Sequence, residues 1–246
     1  MISYGQTDIG QVRKVNQDSI FLSDGPVGKL SNLFLVADGM GGHKAGDFAS
    51  RFVVQTMSEL SGESKLNEPV SILLRSIERT NELLYDESIH NADREGMGST
   101  LVAATIEGST MYVANVGDSR LYLLRESLEQ ITRDHSLVEE MVARGQILRD
   151  SESYKNQKNI ITRAIGIRPA VRPDVFEVQL EECDCILICS DGLTNMIDDA
   201  GISRILKTTD TLQEKTEKLI RLANENGGKD NIAVILIEPQ ISEVKI

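Results

Sequence analysis

Four short apolar runs in this chain each meet an aspartate at one end, and that repeat limits what the chain can fold into. Phe34-Leu-Val-Ala37 stops at Asp38, Tyr112-Val-Ala-Asn-Val-Gly117 at Asp118, and Ile186-Leu-Ile-Cys-Ser190 at Asp191. Asp230 precedes Asn231-Ile-Ala-Val-Ile235. Apolar runs this short, bounded by Asp and Gly, read as buried strands rather than helices. Further strands are predicted over 3–8, 19–23, 99–106, 120–124 and 175–180. Residues 99–124 read as a three-stranded antiparallel meander, because Glu107-Gly108 and Gly117-Asp118 offer two tight connections.

Helices are predicted in pairs between these strands. Residues 45–60 carry Phe48, Phe52, Val53, Met57 and Leu60 at three-to-four spacing. Residues 69–92 open with Pro69 behind Asn67, and a short helix over 137–144 is stopped by Gly145. Two more helices fall near 199–207 and 211–225. Asp210 with Gln213 reads as the capping box of the second, and Gly227-Gly228 as its end. Strand runs interleaved with helix pairs, without strict alternation, argue against a doubly wound parallel sheet. The expected class is α+β: two antiparallel sheets packed face to face, with helical hairpins outside, in a four-layer α-β-β-α sandwich. Residues 1–240 read as one domain, with an irregular functional or mobile segment over 146–172 and a short tail over 241–246.

Composition excludes several classes. Lys plus Arg is 26 against 38 Asp plus Glu, a net charge of −12. That sign argues against a general nucleic-acid binder, since phosphate-backbone binding needs clustered cations. No apolar run approaches the roughly 18 residues of a membrane span, so no stable membrane insertion is expected. The first five residues lack a basic start followed by an apolar stretch, so no signal peptide is expected. Cys183, Cys185 and Cys189 read as members of one strand sharing one face, not as a disulfide framework or a zinc site. The expected setting is cytoplasmic, and the default state a monomer.

An Asp-Gly after a strand is ordinarily only a hairpin signal. Four such aspartates brought to a common sheet edge would repel one another, and hard divalent cations with oxygen ligands remove that repulsion. Two metals about 3.5–4 Å apart generate a nucleophile from water and clamp a phosphoryl group. All-oxygen ligation favours Mg²⁺ or Mn²⁺ over Zn²⁺. His43, in Asp38-Gly-Met-Gly-Gly-His43, is either a surface imidazole or, near metals, a proton donor to a leaving alkoxide. Arg13 is either a surface residue or a bidentate phosphate anchor. His90 reads as solvated and His135 as a cap or packing residue. Cysteine-phosphatase chemistry is excluded, because the sixth residue after each cysteine is Cys189, Asp191 or Asn195, never Arg.

Eight ordered motifs make the chain resemble the PPM/PP2C family of metal-dependent serine/threonine protein phosphatases. They are Arg13-x-x-Asn16-Gln17-Asp18, Asp38-Gly-Met-Gly-Gly-His43, Gly98-Ser-Thr100, Gly117-Asp-Ser-Arg120, Asp134-His-Ser136, Thr162-Arg-Ala-Ile-Gly166, Ser190-Asp-Gly192 and Gly227-Gly-Lys-Asp-Asn231. The match spans about residues 3–238, and the compact length resembles bacterial members that oppose serine/threonine kinases. The resemblance implies that Asp38 bridges two Mn²⁺ or Mg²⁺ ions, with the Gly39 carbonyl on the first and Asp191 and Asp230 on the second. It implies Asp18 in the outer shell, and Asp118 with Asp191 on a weaker third metal. Arg13 would bind the substrate phosphate and His43 would be the general acid. Residues 145–165 would be a flap contacting the phosphopeptide. The implied reaction is direct attack on phosphorus by a metal-bridging hydroxide, without a phospho-enzyme, on phosphorylated proteins that include a cognate kinase. Asp47 stands where Glu is frequent in the family, and the flap has its own sequence, so substrate preference does not carry over. Two rivals are a pseudophosphatase and an acidic metal-binding scaffold. The first is disfavoured by the retained Asp38, Asp191 and Asp230, the second by Arg13 and His43.

Overall fold

The computed structural model describes residues 1–41, 45–148, 151 and 160–241. One five-stranded antiparallel sheet has the order β1 (Ile2–Asp8), β11 (Ile232–Glu238), β10 (Cys185–Cys189), β7 (Arg120–Leu124) and β8 (Leu128–Gln130). The six-stranded second sheet has the order β2 (Asp18–Ser23), β3 (Leu33–Met40), β5 (Leu101–Glu107), β6 (Thr110–Val116) and β9 (Asp174–Gln179), with β4 (Gly98–Ser99) paired to β3. Helices α1 (Ala45–Glu63) and α2 (Pro69–His90) cover the second sheet. Helices α4 (Asp191–Thr194), α5 (Asp199–Leu206) and α6 (Leu212–Glu225) cover the first. The short α3 (Leu137–Ala143) follows β8 and buries Val138.

Strand parity explains the four layers. In β3, Leu33, Leu35 and Ala37 face the α1–α2 layer, while Phe34 and Val36 face the opposite sheet. In β11, Ile232, Val234 and Leu236 face helices, while Ala233, Ile235 and Ile237 fill the space between sheets. Both faces of these strands are covered, which is why the runs are continuously apolar rather than alternating. Each large side chain in these layers contributes roughly 1.5–3 kcal/mol by leaving water. Among the described residues no helix is long and apolar enough to cross a membrane.

Three local expectations are corrected. The meander over 99–124 does not form: β5 and β6 pair, but β7 joins β10 in the other sheet. Gly117, at φ +112°, turns the chain across the sandwich instead of back along one sheet. The cysteines do not share a strand. Cys185 and Cys189 lie in β10 under the helices, whereas Cys183 is exposed in the preceding turn at φ +67°. The capping box is Thr211 with Glu214, one residue on from Asp210 and Gln213. Asp210 is drawn off by Lys218 Nζ, which donates to it at 2.5 Å.

Candidate metal and phosphate site

The strand ends meet at one edge of the sandwich. Asp18 begins β2 and sits opposite Asp38 in the β2–β3 ladder. The Asp38 backbone is fixed by its neighbours: its N–H donates to Thr100 Oγ1 (2.9 Å), and its carbonyl accepts from Thr100 N–H (2.8 Å) and Ser99 Oγ (3.0 Å). None of these bonds uses the carboxylate. Across the sandwich, Asp191 opens α4 directly after β10, and Asp230 lies two residues before β11. Asp118 lies in the link where the chain changes sheets.

The two sheets are tied together at this edge by side chains without assigned roles at the sequence level. Ser190 Oγ donates to Asp18 Oδ2 at 2.6 Å and accepts from the Ala233 N–H at 2.9 Å. Asn231 Oδ1 accepts from the Gln17 N–H (2.9 Å), while its Nδ2 donates to the carbonyls of Ile9 (2.9 Å) and Val15 (3.0 Å). The available signals were their places in the Ser190-Asp-Gly192 and Gly227-Gly-Lys-Asp-Asn231 motifs, where each is the immediate neighbour of an aspartate that ends or precedes an apolar run.

The electrostatics of the edge are unfavourable for bare protein. Burial first, then neighbouring carboxylates, pushes Asp118 up to about 8. Asp18 also rises to about 8, mainly through burial, against the opposing hydrogen bond from Ser190. Asp38 lies well above the carboxylate range through burial and the charges of Asp18, Asp191, Asp118 and Asp230. Among the described residues, Asp18 Oδ1 and Asp118 Oδ1 are buried without a hydrogen-bond partner. Buried oxygens of this kind, clustered with like charges, are the donor set that a hard divalent cation takes. No three described acidic, histidine or cysteine side chains yet enclose one common ion position. Asp230 Oδ2 is turned onto Arg13 Nη2 at 2.7 Å, and Asp191 Oδ2 accepts from Asn195 Nδ2 at 2.9 Å. The donor set fits a hard divalent cation such as Mn²⁺ or Mg²⁺, which takes carboxylate, carbonyl and water oxygens.

Arg13 is thus brought to the cluster, with about half of its side chain exposed. His43 lies outside the described residues, as do 149–150 and 152–159 of the flap expected over 145–165.

Behind Asp118, His135 is buried rather than a helix cap; Ser136 caps α3. The Gly117 N–H donates to His135 Nδ1 (3.1 Å), and the His135 N–H donates to the Gly117 carbonyl (2.8 Å). With Nδ1 accepting, the ring proton sits on Nε2, 3.1 Å from Asp174 Oδ2. Burial, helped by Arg163, lowers the His135 pKa despite Asp174. The unfolded chain therefore binds this proton more tightly than the folded one. The stability from this site is complete above about 6.5 and is lost as pH falls below it. Between pH 7.5 and 5, the wild type is expected to lose more denaturant-unfolding stability than His135→Asn. Equal losses would count against a neutral, buried His135.

Known proteins resemble the chain over nearly its whole length. The family model described as protein phosphatase 2C matches residues 2–232. The chain is 41% identical to the serine/threonine phosphatase stp of Listeria monocytogenes, covering 97% of this chain and 96% of the relative. It is 40% identical to protein phosphatase PhpP of Streptococcus pneumoniae, covering 94% of each. Among solved structures, the S. agalactiae serine/threonine phosphatase is 40% identical with a TM-score of 0.89, covering 96% of this chain and 98% of that one. The Mycobacterium tuberculosis phosphatase PstP/Ppp is 32% identical with a TM-score of 0.86, covering 96% and 97%.

Proposed function

Because the chain belongs to the protein phosphatase 2C family and is a serine/threonine protein phosphatase, we propose that it hydrolyses phosphoserine and phosphothreonine by a metal-dependent direct displacement at this carboxylate edge. The observation that carries the proposal is the convergence of Asp18, Asp38, Asp118, Asp191 and Asp230 beside Arg13, where burial and then neighbouring carboxylates raise the pKa values of Asp18, Asp38 and Asp118. Asp38, the Gly39 carbonyl, Asp191 and Asp230 would hold the two core cations. Asp18, fixed by Ser190, would sit in their outer shell, and Asp118 would serve a weaker third site. Mn²⁺ or Mg²⁺, when bound, supplies charge neutralisation and an activated water nucleophile at neutral pH.

Arg13 keeps its guanidinium near the cluster through Asp230 and uses its remaining donors on the phosphate. His43 gives a proton to the departing Ser or Thr alkoxide. Residues 1–240 act as one domain with a flap over 145–165. The enzyme works as a cytoplasmic monomer on proteins phosphorylated by a serine/threonine kinase, the kinase itself among them.

The direct test is hydrolysis of p-nitrophenyl phosphate and a phosphothreonine peptide with Mn²⁺, with Mg²⁺ and with chelator. Turnover should vanish with chelator and return on adding metal; chelator-resistant turnover would overturn the proposal. His43→Ala should reduce peptide hydrolysis by about 10²-fold or more, and p-nitrophenyl phosphate hydrolysis far less, because nitrophenolate leaves without a proton. Equal losses on both substrates would remove the general-acid role.

A further inference from the structure

The loop between β1 and β2 presents aliphatic side chains where a solvent-facing loop ordinarily presents polar ones. Val12 is 63% exposed, Ile9 39% and Val15 38%. Ten large hydrophobic residues are exposed among those described, and three of them fall within these seven positions. Scattered single aliphatics need no explanation; a cluster this dense around Arg13 does.

The loop is also pinned rather than slack. The Gly10 N–H donates to Asp8 Oδ1 (2.8 Å), and the N–H groups of Gln11 (2.8 Å) and Val12 (3.3 Å) donate to the Gly228 carbonyl. Asn231 holds the carbonyls of Ile9 and Val15 from below. The backbone is thus anchored to the same segment that carries Asp230, and the aliphatic side chains stay exposed at fixed positions. Ordering this loop costs a ligand little, because the chain is already ordered.

We infer that Ile9, Val12 and Val15 form an apolar shelf beside Arg13 that accepts an apolar side chain flanking the phosphorylated residue of the protein substrate. This rests on the proposed role of Arg13 as the phosphate anchor. Val12 adjoins Arg13 in sequence and Val15 lies two residues on. An extended substrate advances about 3.3–3.6 Å per residue, so a phosphate on Arg13 brings positions one to three residues away within reach of the shelf. The occupant is a branched aliphatic or aromatic residue, because aliphatic surface gains by excluding water from a like surface.

The test compares phosphothreonine peptides carrying Leu or Ser at each position within three residues of the phosphate, alongside p-nitrophenyl phosphate, which has no flank. The wild type should favour one or more Leu-flanked peptides by about threefold to tenfold in kcat/KM. Val12→Ser with Val15→Ser should erase that preference, leave p-nitrophenyl phosphate hydrolysis unchanged and lower the thermal midpoint only modestly, since Val12 is 63% and Val15 38% exposed. A wild type indifferent to flanking Leu, or a preference that survives the double substitution, would overturn the shelf. A preference for acidic flanks abolished by Lys14→Ala would assign the loop to charge instead. A double variant that changes mass by light scattering with selectivity intact would make the patch a contact between copies. Arg13→Ala reports separately on the premise: unchanged KM for every substrate would remove the phosphate anchor, whatever the flank preference shows.

Discussion

Asp38→Asn should lower kcat/KM by at least about a hundredfold and abolish tight divalent-cation binding measured by calorimetry. Loss of a residue that merely orients a ligand costs 10–100-fold, and Asp38 is proposed as the carboxylate shared by both core cations. The substitution keeps the shape, and the main-chain bonds to Thr100 and Ser99 do not use the carboxylate. The fold should therefore persist. In chelator the variant should be at least as heat-stable as the wild type, because the ionised Asp38 is disfavoured by burial and by four neighbouring carboxylates. Activity and stability would then move in opposite directions, as expected where a site stores repulsion for function. A variant with wild-type turnover would remove Asp38 from the chemistry, and one unfolded in chelator would contradict the electrostatic account.

Gly192→Ala should be among the most destabilising single-methyl additions in the chain. A Cβ there would sit 1.9 Å from the Asn231 carbonyl oxygen and 2.9 Å from its carbon, with the Asp230 Cβ at 3.5 Å. The obstruction is backbone, so no rotamer change relieves it, and the start of α4 must move away from the start of β11. Overpacking of this kind costs roughly 3 kcal/mol, readable as a lowered denaturant midpoint. The same displacement separates Asp191 from Asp230, so metal affinity should fall with stability, and excess Mn²⁺ should restore part of it by mass action. A variant with the wild-type midpoint would show that the two backbones have room to part.

Much of the scaffold is written locally. The runs ending at Asp38, Asp191 and Asp230 became β3, β10 and β11, because continuous aliphatic sequence suits strands covered on both faces. The helix over 45–63 follows from its apolar spacing, and that over 212–225 from the capping signal at its start and the glycines after its end. Errors arose where two local patterns look alike. A Gly-Asp link reads as a hairpin whether the next strand returns to its neighbour or crosses to the other sheet, and β7 crossed. Asp210 and Thr211 are both acceptable caps, and a lysine on the next turn but one chose between them. The brief β8 and α4 are too short to carry a period.

The sequence by itself determined the longer strands and helices, the acidic residues that flank the apolar runs and, through eight ordered motifs, the family. Only the tertiary structure decided how those residues meet. Ser190 reaches Asp18 across 172 residues of chain, and Arg13 reaches Asp230 across 217. Periodicity and capping report interactions within a few residues, so contacts at such separations leave no local trace. They exist because two sheets, each built from strands distant in sequence, bury their apolar faces against one another and bring polar strand ends to a shared edge.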